Sequence, residues 1–359
     1  SKKTWLLTSM SPGAGEKMSR HIIAGGDIAG LFAQLTMLRR RAHDRTGSDY
    51  PFVIIQEAGL DGFWIHRALT AEGYESHVVD AASIATSRRK RRVKTDRLDG
   101  ESLIRALLAF KRGEPRVCSM LRVPTPDEED RRRIVRERKV LMEERIRHSN
   151  RIKGLLFSQG IKGYDPLRRD RREQLETLRT GDGRDLPLHM KQQVLRELTR
   201  MELLINQIKE VEAERDEMLA EERQSAREVV LLSKVVGIGP EFAAVLWGEG
   251  LFRRFDNRRQ VAAYAGLAPT PWQSGSIDRE QGIGKSGNPR LRSTLLEMAW
   301  LWLRHQPAST LARWFNERVA QNGGRFKKVM ITALARKLVV ALWKYASAGV
   351  VIEGAVVRP

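Results

Sequence analysis

The stretch "YPFVIIQEAG", residues 50–59, carries the strongest strand signal in the amino-terminal part of the chain. Its apolar run is short and rich in β-branched residues, which is typical of a strand buried in the centre of a sheet. Glu57 stands at the carboxyl end of that run, where α/β sheets place their functional sites. The stretch therefore predicts an α/β domain and makes Glu57 a candidate site residue.

Strand and helix signals alternate around this stretch. Before it, "KTWLLTSM" and "KMSRHIIAGG" predict two strands joined by a turn, and Asp27 is the expected N-cap of the helix that follows. After it come a helix, the strand "SHVVDA" and a further helix from about Lys94 to Leu108. A hairpin followed by β/α alternation predicts a mixed sheet with helices packed on it.

The composition indicates a polyanionic partner. The chain has 359 residues, enough for two or three domains, with a formal net charge of +20 and a pI of about 10.5. Nucleic acid is the expected ligand of such a surface. The single cysteine, Cys118, and the scattered histidines leave oxygen ligands as the expected route to a metal. Without a membrane-length apolar stretch or a signal peptide, the sequence predicts a soluble cytoplasmic protein that binds no membrane.

The middle of the chain predicts an antiparallel helical arm. After Pro124, Thr125 and Glu128 form a capping-box pattern that begins a long, arginine-rich helix with a narrow apolar stripe. A second helical run carries an apolar seam with spacings of 4, 3, 4 and 3 residues, as in a short coiled coil. The seam consists of Val194, Leu198, Met201, Ile205 and Ile208. We expect it to pair within the arm or with another protomer.

The carboxyl-terminal part returns to a globular composition. "LLSKVVGIGPEFAAVLWGEG" predicts a helix, a Gly-Ile-Gly turn and a second helix, whose turn amides could face a phosphate. A tight turn between two packed helices explains the same pattern. In the apolar helices that follow, we expect Trp300, Trp302 and Trp343 to fill a core rather than to stack on bases.

Asp96 and Asp99, in "KTDRLDGESL", are three residues apart on a predicted helix and share a face. A divalent cation would relieve their repulsion, and Mg²⁺ is the ion that carboxylates and phosphate oxygens hold together. An ordinary charged helix with a solvated face is the alternative. The basic run just upstream is a candidate contact to a phosphate backbone. Its cations are Arg88, Arg89, Lys90, Arg91, Arg92 and Lys94.

Residues 266–292, "GLAPTPWQSGSIDREQGIGKSGNPRLR", mix serines and glycines with cations. Lys285, Arg290 and Arg292 are candidate phosphate contacts. Glycines would let the backbone approach a duplex closely, namely Gly275, Gly282, Gly284 and Gly287. The residues alone favour a flexible basic loop whose serines only hydrogen-bond to DNA.

Four separated motifs, in this order and at these intervals, resemble the IS110/IS1111 family of transposases. They are "SKKTWLLTS", "IIQEAGLDG", "KTDRLDGESL" and the stretch 266–292. The resemblance covers nearly the whole chain. It implies an α/β RNase H-like (RuvC-like) domain over residues 1–123, a coiled-coil arm over 124–226 and a mainly α-helical transposase domain over 227–359.

The resemblance also implies the roles of particular residues. Glu57, Asp96 and Asp99 match the second, third and fourth carboxylates of the family's Asp-Glu-Asp-Asp site for Mg²⁺. The first aspartate would lie two residues before Ser1, so the chain is expected to be truncated or renumbered. Ser274 matches the family's serine nucleophile, with Ser276 and Ser286 as the other candidates.

The function implied by the resemblance is RNA-guided DNA recombination. A structured noncoding RNA, the bridge RNA, and donor and target DNA would be the partners, in the cytoplasm of a bacterium at the nucleoid. A homo-oligomer is expected, a dimer that becomes a tetramer in the synaptic complex. Two alternatives are a RuvC-like, metal-dependent, structure-specific nuclease and a non-catalytic RNA/DNA-binding protein.

Overall fold

The structure is a computed structural model that divides into two compact units, Ser1–Thr125 and Pro126–Pro359. The division into three domains stays a prediction. The structure describes residues 3–15, 17–59, 62–80, 83–84, 96–114, 117–251, 253, 255–274, 277–284, 287–321 and 323–358. Within these residues no helix is both long enough and apolar enough to cross a membrane.

The amino-terminal unit is a small α/β unit, as predicted. Its elements in chain order are β1 (Thr4–Met10), β2 (Met18–Ala24), α1 (Ile28–Thr46), β3 (Val53–Glu57), α2 (Trp64–Ala71), β4 (Glu75–Val79) and α3 (Asp96–Lys111). Asp27 caps α1 as expected, since its Oδ1 accepts a hydrogen bond of 2.8 Å from the amide of Gly30.

The strands of this unit form two ladders where the sequence predicts one mixed sheet. β1 pairs with β2 antiparallel, β3 pairs with β4 parallel, and each pair forms a two-stranded sheet. Beyond them, Met120 forms an isolated antiparallel bridge with Val79. The alternation of apolar residues predicts that a segment is a strand, but it does not predict which strand will pair with it. The sequence therefore could not predict that the four strands form two ladders instead of one sheet.

Both ladders contribute to one core. The buried side chains of Leu31, Leu35 and Leu69 come from α1 and α2 and pack with Leu7 of β1 and Ile54 of β3. Helix α3 packs against β1 and also contacts β3. The packing on β1 is close, because a Cβ built on Gly100 would lie 2.2 Å from Oγ1 of Thr8. Glycine at position 100 therefore permits α3 to rest on β1.

The second unit is mainly helical. Its long helices are α4 (Pro126–Phe157) and α6 (Leu188–Ser225), with the short α5 (Arg171–Thr177) between them. The remaining elements are α7 (Arg227–Lys234), α8 (Pro240–Val245), a π-helical segment (Leu246–Leu251), α9 (Arg258–Tyr264), β5 (Pro269–Ser274), β6 (Ile277–Ile283), α10 (Pro289–His305), α11 (Thr310–Gln321) and α12 (Lys327–Ala348).

Helices α4 and α6 form an antiparallel pair. Three ion pairs show that the two helices run in opposite directions, because α4 residues nearer the amino end pair with α6 residues nearer the carboxyl end. They are Arg151–Glu197, at 3.0 Å, Arg138–Glu212, at 2.6 Å, and Arg131–Glu222. Helix α4 begins at Pro126, where the capping pattern predicts it.

The apolar seam of α6 is buried inside this pair. Val194, Leu198 and Met201 belong to a core at the tip of the arm, together with Ile152 and Leu156 of α4. The rest of the seam lies nearer the base, with Ile205 partly buried and Ile208 in a core with Leu141. The seam therefore pairs within the arm; a coiled-coil geometry stays a prediction.

A large core holds the carboxyl-terminal helices together. Trp302 is 1% exposed and its indole N–H donates a 2.9 Å hydrogen bond to Ser309, so this tryptophan fills the core as expected. Trp343 is partly buried against the same core. The prediction is wrong for Trp300, which is 43% exposed. Its position on α10 points away from the packed face.

The Gly-Ile-Gly turn joins α7 and α8 as predicted, and its contacts are internal. The amide of Val236 donates to the carbonyl of Val356, and the Gln306 side-chain amide donates to the carbonyls of both residues. A Cβ at Gly237 would lie 2.9 Å from the side chain of His305. These contacts favour the tight-turn alternative over a phosphate site.

Candidate active site

Ser274 is the last residue of the first strand of a β-hairpin. β5 and β6 pair antiparallel, with Ser274 opposite Ile277 and Trp272 opposite Arg279. Gly275 and Ser276, between the strands, lie outside the described residues, as do Lys285 and Ser286 after the hairpin. The sequence predicts a flexible loop here, and the structure replaces it with two hydrogen-bonded strands. Their pairing places the candidate nucleophile at the turn of the hairpin.

Short backbone contacts hold the base of this hairpin. The amide of Gly284 donates to the carbonyl of Ala268 at 2.8 Å, and the amide of Asn288 donates to the carbonyl of Tyr264 at 2.7 Å. Gly287 has a φ of 127°, and a Cβ there would lie 2.6 Å from the carbonyl oxygen of Ala263. Gly287 is thus needed for packing on the end of α9.

Asn288 connects the hairpin to α10. Its Oδ1 accepts hydrogen bonds from the amides of Arg290 and Leu291, at 3.0 and 3.1 Å, and so caps the helix. Its Nδ2 donates a 2.8 Å hydrogen bond to the carboxylate of Glu249. One side chain therefore fixes the start of α10 and binds a buried anion.

Glu249 lies in the π-helical segment and is 2% exposed. Arg136 of α4 binds its carboxylate through two hydrogen bonds, of 2.7 and 3.1 Å, and Tyr264 donates to its backbone carbonyl at 2.8 Å. Burial alone would raise the pKa of Glu249, but the hydrogen bonds from Arg136 and Asn288 outweigh it and lower the pKa. Glu249 is therefore held as a carboxylate.

Other cations surround this carboxylate. Arg132, one turn before Arg136 on α4, is 7% exposed, and burial lowers the pKa of its guanidinium. The guanidinium of Arg253 lies 4.6 Å from the ring centroid of Tyr264, in a cation–π contact. The polar cluster joins the arm helix, the π-helical segment and the hairpin base. We call Arg136, Glu249 and Asn288 the buried clamp.

A cleft opens beside the buried clamp. It has a volume of about 580 Å³ and lies between α4 and the start of α10. Its lining residues are Glu129, Arg133, Arg136, Glu137, Lys139, Val140, Glu143 and Arg290. Lys139 donates a 3.1 Å hydrogen bond to Ser293 of α10, which ties the two walls together. Four of these lining residues are cationic and three are acidic, and Arg136 is already bound to Glu249.

The structure describes only some of the predicted phosphate contacts. Arg290 is exposed at the start of α10 and lines the cleft, whereas Arg292 is half-buried on the same helix. The upstream basic run lies outside the described residues: Arg88, Arg89, Lys90, Arg91, Arg92 and Lys94.

The predicted metal ligands lie on neighbouring elements of the amino-terminal unit. Glu57 ends β3 and is exposed, and Asp99 lies in the first turn of α3, which contacts β3. Asp96 is the first residue of α3. Among the described residues there is no group of three or more His, Cys, Asp or Glu side chains arranged to hold a metal ion.

The buried clamp is the feature of this site that the sequence did not predict. Glu249 is a single acidic residue in the apolar stretch "AAVLWGEGLF", and this was the available signal, because a carboxylate in a buried helix requires a partner. Arg136 is 113 residues away in sequence, so its identity as that partner could not be inferred from spacing.

Comparison with known proteins defines the class of this one. A model of the transposase IS116/IS110/IS902 family matches residues 229–313, which include the hairpin and the buried Glu249. The Sinorhizobium fredii (strain NBRC 101917 / NGR234) protein y4rJ, named as a transposase, is 68% identical over 369 residues, which cover 100% of this chain and 93% of that protein.

Two further relatives are more distant. The transposase for insertion sequence element IS1111A of Coxiella burnetii is 23% identical over 308 residues, covering 81% of this chain and 76% of that protein. A pilin gene-inverting protein of Moraxella lacunata is 39% identical over 114 residues, 30% of this chain and 33% of that protein. The protein is a transposase, an enzyme that acts on DNA. It belongs to the IS116/IS110/IS902 family, together with its IS1111-type relatives.

Proposed function

We propose that this transposase is an RNA-guided DNA recombinase that cuts and rejoins DNA through a covalent phosphoserine at Ser274. The observation that carries the proposal is the position of Ser274 at the turn of a hairpin whose base is held by the buried clamp. A nucleophile gains most from such support, because misplacement by a fraction of an ångström slows an in-line attack. The gene-inverting relative supports a reaction in which DNA is rejoined as well as cut.

The proposed chemistry exchanges one phosphate ester for another. The Oγ of Ser274 attacks the phosphorus of a DNA phosphodiester; the bond from Oγ to phosphorus forms and the bond to one deoxyribose oxygen breaks. Serine loses a proton and the leaving oxygen takes one up. After strand exchange, a deoxyribose hydroxyl attacks the phosphoserine, which restores Ser274 and the DNA backbone.

The carboxylates of Glu57, Asp96 and Asp99 would hold Mg²⁺ in this proposal. Their donor set fits that ion, which prefers carboxylate oxygens together with phosphate oxygens. Mg²⁺ held there would supply positive charge to a bound phosphate. Arg290 and the cations of the cleft would bind the neighbouring phosphates and orient the strand.

RNA guidance is the part of the proposal that rests on charge and on the resemblance of the motifs. A chain with a net charge of +20 has far more cations than a DNA cleavage site requires. A structured RNA would neutralise that excess and would read the donor and target DNA by base pairing.

The decisive experiment is the Ser274→Ala variant with labelled DNA and the RNA encoded beside the gene. We expect the variant to lose the covalent protein–DNA adduct on denaturing gels and to bind DNA with nearly unchanged affinity. Ser347→Ala, at an exposed position near the end of α12, is the matched control and should keep the adduct. An adduct that still forms in Ser274→Ala would indicate that Ser276 or Ser286 is the nucleophile. Cut DNA with no adduct in the parent protein would instead indicate the nuclease.

A further inference from the structure

Trp300 is the largest exposed aromatic side chain on the carboxyl-terminal helices. It is 43% exposed, whereas Trp302 on the same helix is 1% exposed. Phe326, the N-cap of α12, is 52% exposed. An exposed aromatic ring beside cations offers a face on which a base can stack.

Cations accompany these rings. The Nζ of Lys327 lies 5.5 Å from the centroid of the Trp300 ring, which brings the start of α12 against α10. Arg325 and Lys328, on either side of Phe326 and Lys327, are exposed, and the first turn of α12 has no acidic residue. We call Trp300, Phe326, Arg325, Lys327 and Lys328 the aromatic platform. Its rings and positive charges are complementary to nucleotides rather than to an apolar protein surface, whose core excludes charge.

Trp300 of the aromatic platform lies on α10, the helix that begins at the base of the hairpin. Asn288 caps α10, and Trp300 follows twelve residues later, about 18 Å along the helix axis. The exposed residues Arg290, Glu297 and Trp300 recur at helical spacing and share one face of α10. Arg290, at the start of this face, lines the cleft. A strand bound at the hairpin can therefore continue along α10 to Trp300.

We infer that the aromatic platform binds an unpaired DNA strand beside the cleavage site. Bases stack on Trp300 and Phe326, while Arg325, Lys327 and Lys328 bind the phosphates. Only an unpaired base can expose its face to a ring, so duplex DNA is a poor ligand for this surface. The inference rests on the proposed function in one respect: the choice of DNA follows from the hairpin that carries Ser274.

The test measures binding of labelled oligothymidylate and of a duplex of equal length by fluorescence anisotropy. Trp300→Ala should weaken single-strand binding by roughly five-fold or more and leave duplex binding unchanged, because stacking contributes to binding at each unpaired base. Trp300→Phe keeps an aromatic face and should bind within about two-fold of the parent. Val329→Ala is the matched control, since Val329 is 55% exposed on the same turn of α12 but has no ring.

A second readout identifies the contact directly. Photo-crosslinking to a strand that contains 5-iodouracil should label the tryptic peptide Ser293–Arg304 in the parent protein and not in Trp300→Ala. Equal single-strand affinities of Trp300→Ala and Val329→Ala would overturn the inference. It would also be overturned if Trp300→Ala weakened oligouridylate binding alone, because the ligand would then be RNA. Adduct formation by Ser274 is scored separately, so the failure of one proposal does not imply failure of the other.

Discussion

Glu249 shows how a buried carboxylate can fix the base of a hairpin. The desolvation of such a group is unfavourable unless hydrogen-bond donors replace the lost water. Here Arg136 and Asn288 are those donors, and Asn288 is also the cap of the helix that follows the hairpin. The energy of the ion pair is thereby coupled to the position of the hairpin base.

We expect Arg136→Ala to lower the free energy of unfolding by about 3 kcal/mol, because it leaves Glu249 buried without its main partner. Arg133→Ala is the control on the same helix. Its side chain is 72% exposed, and its loss should change stability by less than about 0.5 kcal/mol. Urea denaturation of both variants measures the difference, and equal effects would contradict a stabilising clamp.

The stabilisation lost in Arg136→Ala should depend on pH. The pKa of Glu249 is lowered in the folded protein from its ordinary 4.5, so the ionised form contributes stability above that pH. This contribution disappears as the pH falls through the lowered pKa. The stability difference between the parent and Arg136→Ala should therefore be largest near neutral pH and shrink in acid.

Asp99→Asn should abolish recombination in Mg²⁺, and chelation should do the same to the parent protein, because both remove the charge that would stabilise the attacked phosphate. Glu101→Gln is the control on α3. It breaks a surface ion pair with Arg20, 2.7 Å long, and should leave recombination intact. Full activity of Asp99→Asn would show that α3 is only a charged helix.

At the scale of elements, the sequence predicts what local chemistry determines. The capping pattern at Thr125 and the seam spacing of α6 predict a helix start and a buried stripe, because each depends on residues within a few turns. The strands of the Ser274 hairpin escape prediction. Their prolines and glycines are typical of loops, and pairing with the opposite strand overrides that preference.

The arm allows a direct test of the seam. Leu198→Ala should lower the free energy of unfolding by about 2–5 kcal/mol, because Leu198 is fully buried in the core at the arm tip. Leu203→Ala, at a position that is 58% exposed on the same helix, should change stability by less than about 0.5 kcal/mol. Comparable denaturation midpoints for the two variants would contradict a seam that pairs within the arm.

At the scale of the whole molecule, the excess of positive charge predicts RNA binding that weakens steeply as salt rises, since each neutralised phosphate releases counterions. The structured RNA encoded beside the gene should bind more tightly than a scrambled RNA of equal length at roughly 200 mM salt, where nonspecific contacts weaken first. Filter binding of both RNAs measures this preference. Equal affinity for the two RNAs would contradict RNA guidance and would indicate a transposase that acts on DNA without an RNA.

The antiparallel pairing of α4 and α6 also constrains how this protein can diverge. A residue inserted into one helix alone would displace every later ion pair of the ladder, from Arg131–Glu222 to Arg151–Glu197, and would rotate the buried stripe by about 100°. The arm can change length only through matched insertions in both helices. The length of α4, about 48 Å for 32 residues, is therefore matched to that of α6, while exposed positions such as Leu203 are free to vary.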